Sequence, residues 1–160
     1  MGQEEAVGEL EQSVGYVLKQ VQASLHTAMD GVLRPLDLTV AQYACLELLG
    51  QRPGLSNSEL ARRAFVTRQS MNLVVRRLQE RGLLTRPESA LHGRSLPTEL
   101  TPAGEEKVRA ASVAVRAVER ELFSPLSEEQ QRRLRDDLAA CVALATSAAN
   151  AQRQPEDEIL

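Results

Sequence analysis

Two short helices joined by a tight turn are the feature that most limits what this chain can fold into. Ser56 and Glu59 have the capping-box spacing, in which the hydroxyl caps one orphan helix amide and the carboxylate reaches back to another. This pattern opens a short helix that we expect to end near Ala64. Thr67 can cap a second helix, and Gly82 stands where that helix needs a left-handed residue to end. Two helices separated by about three residues are typical of a helix-turn-helix.

The second helix is predicted to have one apolar and one polar side. Its apolar residues recur at helical spacing and are Met71, Val74, Val75 and Leu78. The residues opposite them are Gln69, Asn72, Leu73 and Arg76. Arginine and carboxamide side chains have forked edges that match guanine and adenine in the major groove, and an exposed leucine suits a thymine methyl. The alternative is an ordinary solvated helix face.

Positive charge is concentrated in this part of the chain. The whole chain has a net charge of −3, but residues 52–94 contain nine arginines and three glutamates, an excess of six positive charges that leaves −9 elsewhere. A basic stripe on an acidic body favours phosphate binding. Aromatic residues are only 2% of the chain, which disfavours base stacking on single strands and points to duplex DNA. The helical residues predicted to contact DNA are Arg62, Arg63, Thr67, Arg68, Gln69, Ser70, Asn72, Leu73, Arg76 and Arg77.

A two-stranded wing is predicted after the second helix. Leu96, Thr98 and Leu100 alternate with other residues at the period of a β-strand. Pro97 cannot donate to a ladder from mid-sheet, so this strand should lie at an edge. Arg94 stands near the tip of the preceding loop, where an arginine suits a narrow minor groove. The alternative is a surface arginine without a partner.

Long amphipathic helices flank the winged module. The first apolar stripe begins at Leu10 and is stopped by Pro35, and Thr39 with Gln42 opens the next helix with another capping box. Thr101 followed by proline opens a helix whose stripe is Val108, Ala111, Val115, Val118 and Leu122, which Pro125 ends. A box of Ser127 and Gln130 opens the last helix, whose stripe is Leu134, Leu138, Cys141, Val142 and Ala145.

The fold class is therefore mainly α with a small β-wing. We predict an N-terminal dimerisation helix at 1–34, a winged helix-turn-helix at 35–101, C-terminal dimerisation helices at 102–150 and a frayed tail at 151–160. A winged module needs only about 70 residues for its own core, so the terminal helices are free to pair with a second copy. Such a homodimer would read two half-sites of a pseudo-palindromic operator. The alternative is an intramolecular bundle.

Other classes of protein are disfavoured. No run of 18 apolar residues spans a membrane and residues 1–5 lack a signal-peptide core, so we expect a cytoplasmic protein. His26, His92, Cys45 and Cys141 have neither catalytic nor metal-ligand spacing, so we expect no enzyme, no cofactor and no metal. Cys45 stands among apolar neighbours, which favours a buried, inert thiol. A cysteine-based redox sensor and a winged-helix dimer that binds only proteins remain as alternatives.

The order of these parts resembles the multiple-antibiotic-resistance regulator (MarR) family over about residues 10 to 150. The motifs that carry the resemblance are LTVAQ at 38–42, LARR at 60–63, QERGL at 79–83 and LTPAG at 100–104. The resemblance implies a homodimeric transcription regulator, often a repressor relieved by a small, commonly phenolic ligand bound between the dimerisation and DNA-binding regions. It also implies that Arg94 enters the minor groove. His92 stands where the family usually has an acidic residue that braces this arginine. The candidate ligand-binding residues are Tyr16, His26, Met29 and Tyr43.

Overall fold

The computed structural model describes residues 9–86 and 97–152. The helices are α1 (Val14–Leu33), α2 (Val40–Gln51), α3 (Asn57–Arg63), α4 (Arg68–Glu80), α5 (Pro102–Leu122) and α6 (Glu128–Gln152). Two strands, β1 (Leu84–Thr85) and β2 (Glu99–Leu100), lie between α4 and α5 and pair antiparallel. The predicted fold class, mainly α with a small sheet, is confirmed. The chain divides into two compact units, Met1–Glu119 and Arg120–Leu160.

The helices begin at the predicted caps. In the box at Thr39, the hydroxyl accepts from the amide of Gln42 at 3.1 Å and the Gln42 carboxamide accepts from the amide of Thr39 at 3.0 Å. The boxes that open at Ser56 and Ser127 are also complete. The hydroxyl of Thr101 accepts from the amide of Gly104 at 3.1 Å, which opens α5. These caps are local, since both partners lie within four residues.

The first helix begins later than the stripe from Leu10 predicts. Leu10–Gln12 is a separate short 3-10 turn, and α1 starts at Val14. The reason is Ser13, whose backbone is extended (φ −75°, ψ 122°) and whose side chain accepts from the amide of Tyr16. An N-cap residue with this geometry interrupts the helix on its N-terminal side. The predicted apolar stripe is therefore divided between a turn and a helix.

The second strand is also shorter than predicted. Thr98 is fully buried and Glu99 is exposed, which confirms the alternation, but only Glu99–Leu100 pairs with β1. The carbonyl of Thr98 accepts from the amide of Gly54 at 3.1 Å instead of from β1. Pro97, without an amide hydrogen, precedes the strand and does not enter it. Leu96 lies outside the described residues.

The apolar core of the first unit lies among α2, α3, α4, β1 and α5, with the end of α1 packed against it. Its largest fully buried side chains are Leu33, Leu46, Leu49, Leu60, Met71, Leu78, Leu84, Thr98 and Cys45. Most of them belong to α3 and α4 of the helix-turn-helix and to α2 and β1, which precede and follow it. This packing holds α4 by one face only, so its other face remains at the surface.

Candidate nucleic-acid interface

The turn between α3 and α4 is closed by backbone hydrogen bonds. The amide of Val66 donates to the carbonyl of Ala61 at 3.0 Å, and the amide of Phe65 donates to the carbonyl of Arg62 at 3.4 Å. This pair of bonds is a Schellman motif, with Phe65 in the left-handed position at φ 58°. Glycine usually occupies such a position, so the sequence carried no signal for it. The Phe65 side chain is 94% exposed.

The two faces of α4 lie as predicted. Met71, Val75 and Leu78 are buried and Val74 is half-buried. The residues of the opposite side, Gln69, Asn72, Leu73 and Arg76, are exposed. The polar face is thus available to a groove of DNA, which admits one α-helix.

The arginines around this face are open to solvent. Arg62, Arg63, Arg68, Arg76 and Arg77 are exposed, and among residues 9–86 and 97–152 none of them forms an ion pair. An unpaired guanidinium on the surface can bind phosphate without first breaking an internal salt bridge. With Glu59 and Glu80 counted against these five arginines, α3 and α4 together carry a net charge of +3.

Thr67 and Ser70 have a structural role at the start of α4. The hydroxyl of Thr67 accepts from the amide of Ser70 at 3.0 Å and donates to the hydroxyl of Ser70 at 2.9 Å. Both side chains are exposed. Their predicted contact with DNA is compatible with this cap, because a hydroxyl oxygen has a second lone pair and Ser70 retains its own hydrogen.

A chain of hydrogen bonds connects Asn72 to two residues that were not predicted as site residues. The side-chain amide of Asn57, at the start of α3, donates to Oδ1 of Asn72. Arg86, which follows β1, donates to Oδ1 of Asn57 and, through Nε, to the hydroxyl of Thr98 at 3.4 Å. The spacing of apolar and polar residues along a helix could not identify either residue, because Asn57 is at a helix end and Arg86 is next to a two-residue strand.

The tip of the predicted wing lies outside the described residues. This applies to Arg94 and to His92, so their predicted roles stay predictions. The described base of the wing is β1 with β2, where Leu84 lies opposite Leu100 and Thr85 opposite Glu99.

The four candidate ligand-binding residues do not share one environment. His26 is exposed, Tyr16 is half-buried, and Met29 is half-buried against the core. Tyr43 is buried, and its hydroxyl donates to Ser112 of α5 at 3.5 Å. Burial raises the pKa of Tyr43 above its ordinary value, so this hydroxyl stays protonated.

A short polar chain joins α2 to α5 at Tyr43. Ser112, which accepts from Tyr43, donates to the carboxylate of Glu47 at 2.5 Å, and Arg116 lies 4.0 Å from the same carboxylate. Ser112 is buried, whereas Arg116 is largely exposed. The chain thus connects the first helix of the winged module to the long helix that follows the wing.

The cysteines and acidic residues show no metal site in the part of the chain that the structure describes. Cys45 is fully buried, and burial raises the pKa of its thiol to about 12. The prediction that Cys45 is buried is therefore confirmed, and its inertness stays a prediction. Cys141, on α6, is exposed. Within the described ranges, no helix is both long and apolar enough to cross a membrane.

A capped helix-turn-helix, a basic surface around its second helix and a two-stranded sheet after it together define a winged helix-turn-helix module. Comparison with known proteins identifies its family. The MarR family model matches residues 36–95. The chain is 44% identical over 119 residues to the HTH-type transcriptional repressor Rv2887 of Mycobacterium tuberculosis, covering 74% of this chain and 86% of that protein.

Two solved structures of Rv2887 are also similar. The complex with salicylic acid has a TM-score of 0.68 at 41% identity and covers 81% of this chain and 96% of that chain. The complex with DNA has a TM-score of 0.68 at 38% identity and covers 81% of this chain and 97% of that chain. The protein belongs to the MarR family of transcription regulators.

Proposed function

We propose that the protein is a homodimeric repressor that binds double-stranded DNA at a pseudo-palindromic operator and releases it when a small phenolic ligand binds. In this proposal it acts in the cytoplasm. The observation that carries the proposal is the burial pattern of α4. Met71, Val75 and Leu78 are buried on one side of this helix, and Gln69 and Arg76 are exposed on the other. A helix held in this way can enter the major groove without losing its own packing.

The second copy is proposed because the N-terminal segment and α6 have apolar residues that one chain leaves exposed. The N-terminal set is Leu10, Val14, Val17 and Leu18, and the set on α6 is Leu134, Val142 and Leu144. Exposed apolar side chains in this number are typical of an interface. A symmetric dimer would cover both sets and would place two recognition helices on successive half-sites.

The ligand is proposed from the printed description of the Rv2887 complex with salicylic acid and from the polar chain at Tyr43. A phenol or carboxylate near α2 could exchange hydrogen bonds with Tyr43, Ser112 or Glu47. Such an exchange would alter the joint between α2 and α5. We keep Tyr16, His26 and Met29 as further candidate contacts.

A mobility-shift assay on the DNA that flanks the protein's own gene tests the proposal. Wild-type protein should shift this DNA as a dimer, and salicylate should reverse the shift. If each protomer contacts about four phosphates, log K should fall against log salt with a slope near −7. A slope shallower than about −2, or equal affinity for random duplex, would contradict specific DNA binding and favour a protein-interaction module.

A further inference from the structure

Asn72 is an exposed carboxamide of the recognition helix, and a hydrogen bond fixes the orientation of its amide group. Its Oδ1 accepts a hydrogen bond from Nδ2 of Asn57 in α3. The other oxygen of this pair, Oδ1 of Asn57, accepts from Arg86. Asn57 and Arg86 are half-buried, whereas Asn72 is exposed on the surface proposed to meet DNA.

The direction of this chain of hydrogen bonds is set by the arginine. A guanidinium has five N–H donors and no acceptor, so only the oxygen of Asn57 can face Arg86. The NH₂ of Asn57 must then face Asn72, and the oxygen of Asn72 accepts the hydrogen bond. Arg86 itself is held by the hydroxyl of Thr98, a fully buried residue that precedes β2.

The outer end of the chain is therefore the NH₂ of Asn72. In the described ranges, Nδ2 of Asn72 donates to no other residue. A free asparagine can contact adenine with both its oxygen and its nitrogen. Here the oxygen is turned towards α3, so the side chain offers hydrogen-bond donors to DNA.

We propose that Arg86 and Asn57 are positioning residues that orient Asn72 as a donor, so that it reads an acceptor on a base edge. The acceptors that the major groove presents are N7 of a purine, O6 of guanine and O4 of thymine. The inference rests on the proposed DNA-binding function. It adds a rule for which base edges Asn72 prefers. It also connects the base of the wing to the recognition helix through the hydrogen bonds of Arg86 and Asn57.

The sharpest test is Asn57→Asp. A carboxylate still accepts from Arg86, but it cannot donate to Asn72. Two facing oxygens repel, so Asn72 turns over, gives its NH₂ to the carboxylate and presents its oxygen to DNA. The contact preferred at this position should change from an acceptor to a donor, adenine N6 or cytosine N4. Because adenine also has the acceptor N7, the change is measured as the loss of binding to guanine and thymine at this position.

Selection of bound duplexes from a randomised pool measures this change. Asn72→Ala first identifies the base pair that Asn72 reads, as the position whose preference disappears. Asn57→Asp should then bind sites with guanine or thymine at that position about tenfold more weakly and select adenine or cytosine there. The matched control is Ser58→Asp, which adds the same charge at the neighbouring exposed residue and should keep the wild-type preference.

A double-mutant cycle separates positioning from folding. Asn57→Ala should weaken operator binding about fivefold in the wild-type background and leave it unchanged in the Asn72→Ala background. An Asn57→Ala loss that persists without Asn72, or an Asn57→Asp variant that still accepts guanine or thymine at that position as the wild type does, would overturn the inference alone. Wild-type protein that selects no sequence would overturn both the inference and the proposed function.

Discussion

The helix-turn-helix and the terminal helices both have apolar stripes, but the apolar side chains are buried in the helix-turn-helix and exposed on the terminal helices. Leu46, Leu60 and Met71 are each 0% exposed, although α2, α3 and α4 are short. On α1 and α6, Val14 and Val142 are 77% and 65% exposed, although both helices are far longer. Helix length therefore does not determine burial in this chain.

The difference shows what a hydrophobic stripe can and cannot indicate. A stripe marks the face of a helix that avoids water, but it does not identify what covers that face. In the winged module the cover comes from the same chain. For α1 and α6, we propose that it comes from a second chain.

The first prediction concerns the junction between the sheet and α5. A Cβ added to Gly104 would lie 1.9 Å from the carbonyl oxygen of Leu83, which is itself held by the amide of Thr101 at 3.1 Å. Backbone cannot move away as a flexible side chain can. Gly104→Ala should therefore lower the free energy of unfolding by at least about 3 kcal/mol, at the upper end of overpacking costs.

Gly31 of α1 provides the matched control, because an added Cβ there meets nothing within 4 Å. Gly31→Ala should raise the free energy of unfolding by about 0.5–1 kcal/mol, the usual gain in a helix interior. Urea denaturation measures both variants. A Gly104→Ala protein as stable as the wild type would show that the winged module is loosely packed, contrary to the comparison.

The second prediction concerns the exposed face of α1. Leu18 is 46% exposed in one chain, so a partner has about half of its surface left to cover. Leu18→Glu should make the free energy of dimerisation less favourable by about 2–3 kcal/mol, since a symmetric interface loses the contact twice. Operator affinity should fall with it.

Ala23→Glu is the control for charge. Ala23 is exposed and lies five residues after Leu18, on the other side of the helix at 100° per residue. Sedimentation at micromolar concentration should find this variant dimeric. A dimer that tolerates Leu18→Glu as well as Ala23→Glu would contradict the assignment of α1 to the interface.

Helix starts could be predicted from the sequence because their causes are local. Thr39, Ser56, Thr67 and Ser127 each bond to a residue three positions ahead. The buried side of α4 could be predicted for the same reason, since neighbouring turns of a helix share a face. The exposed polar side then followed from helical geometry.

Contacts between distant residues could not be predicted in this way. Asn57 and Arg86 are 29 positions apart, and they meet only in the folded chain, where α3 and β1 both pack against α4. The left-handed turn at Phe65 also lacked a signal, because it is imposed by the hydrogen bonds that close the turn and not by a glycine. The later start of α1 depended on Ser13, whose extended backbone outweighs the apolar stripe before it.

The third prediction compares the two thiols under alkaline conditions. Burial raises the pKa of Cys45 to about 12 from an ordinary value of 9.0, so the unfolded chain loses this proton first. The stability that the neutral thiol contributes is complete below pH 9 and is lost as the pH rises towards 12. At pH 10 the loss should be about 1.4 kcal/mol.

Denaturation at pH 8 and pH 10 checks this difference. Cys45→Ala should lose less stability between the two pH values than the wild type, although it is less stable at both because of the cavity. Cys141→Ser removes the exposed thiol of α6 and should keep the wild-type dependence. The same dependence in Cys45→Ala would mean that other groups cause it.

The last and smallest effect distinguishes the capping box of α3 from that of α6. Both boxes have the same geometry, but the α3 box uses the carboxylate of Glu59 and the α6 box uses the carboxamide of Gln130. The amide of Ser56 donates to that carboxylate at 2.8 Å, and this bond, with the nearby Arg62, holds the pKa of Glu59 below its ordinary value.

A lowered pKa in the folded state gives stability that is present above the pKa of the unfolded chain and is lost as the pH falls through the folded value. In urea denaturation, Glu59→Gln should therefore unfold at a lower urea concentration than the wild type at pH 7. The difference between the two midpoints should shrink as the pH falls below about 4. Gln130→Glu is the reciprocal change and should introduce an acid-dependent contribution at α6. A gap between wild type and Glu59→Gln that stays constant from pH 7 to pH 3 would show that the charge of Glu59 does not stabilise the helix-turn-helix.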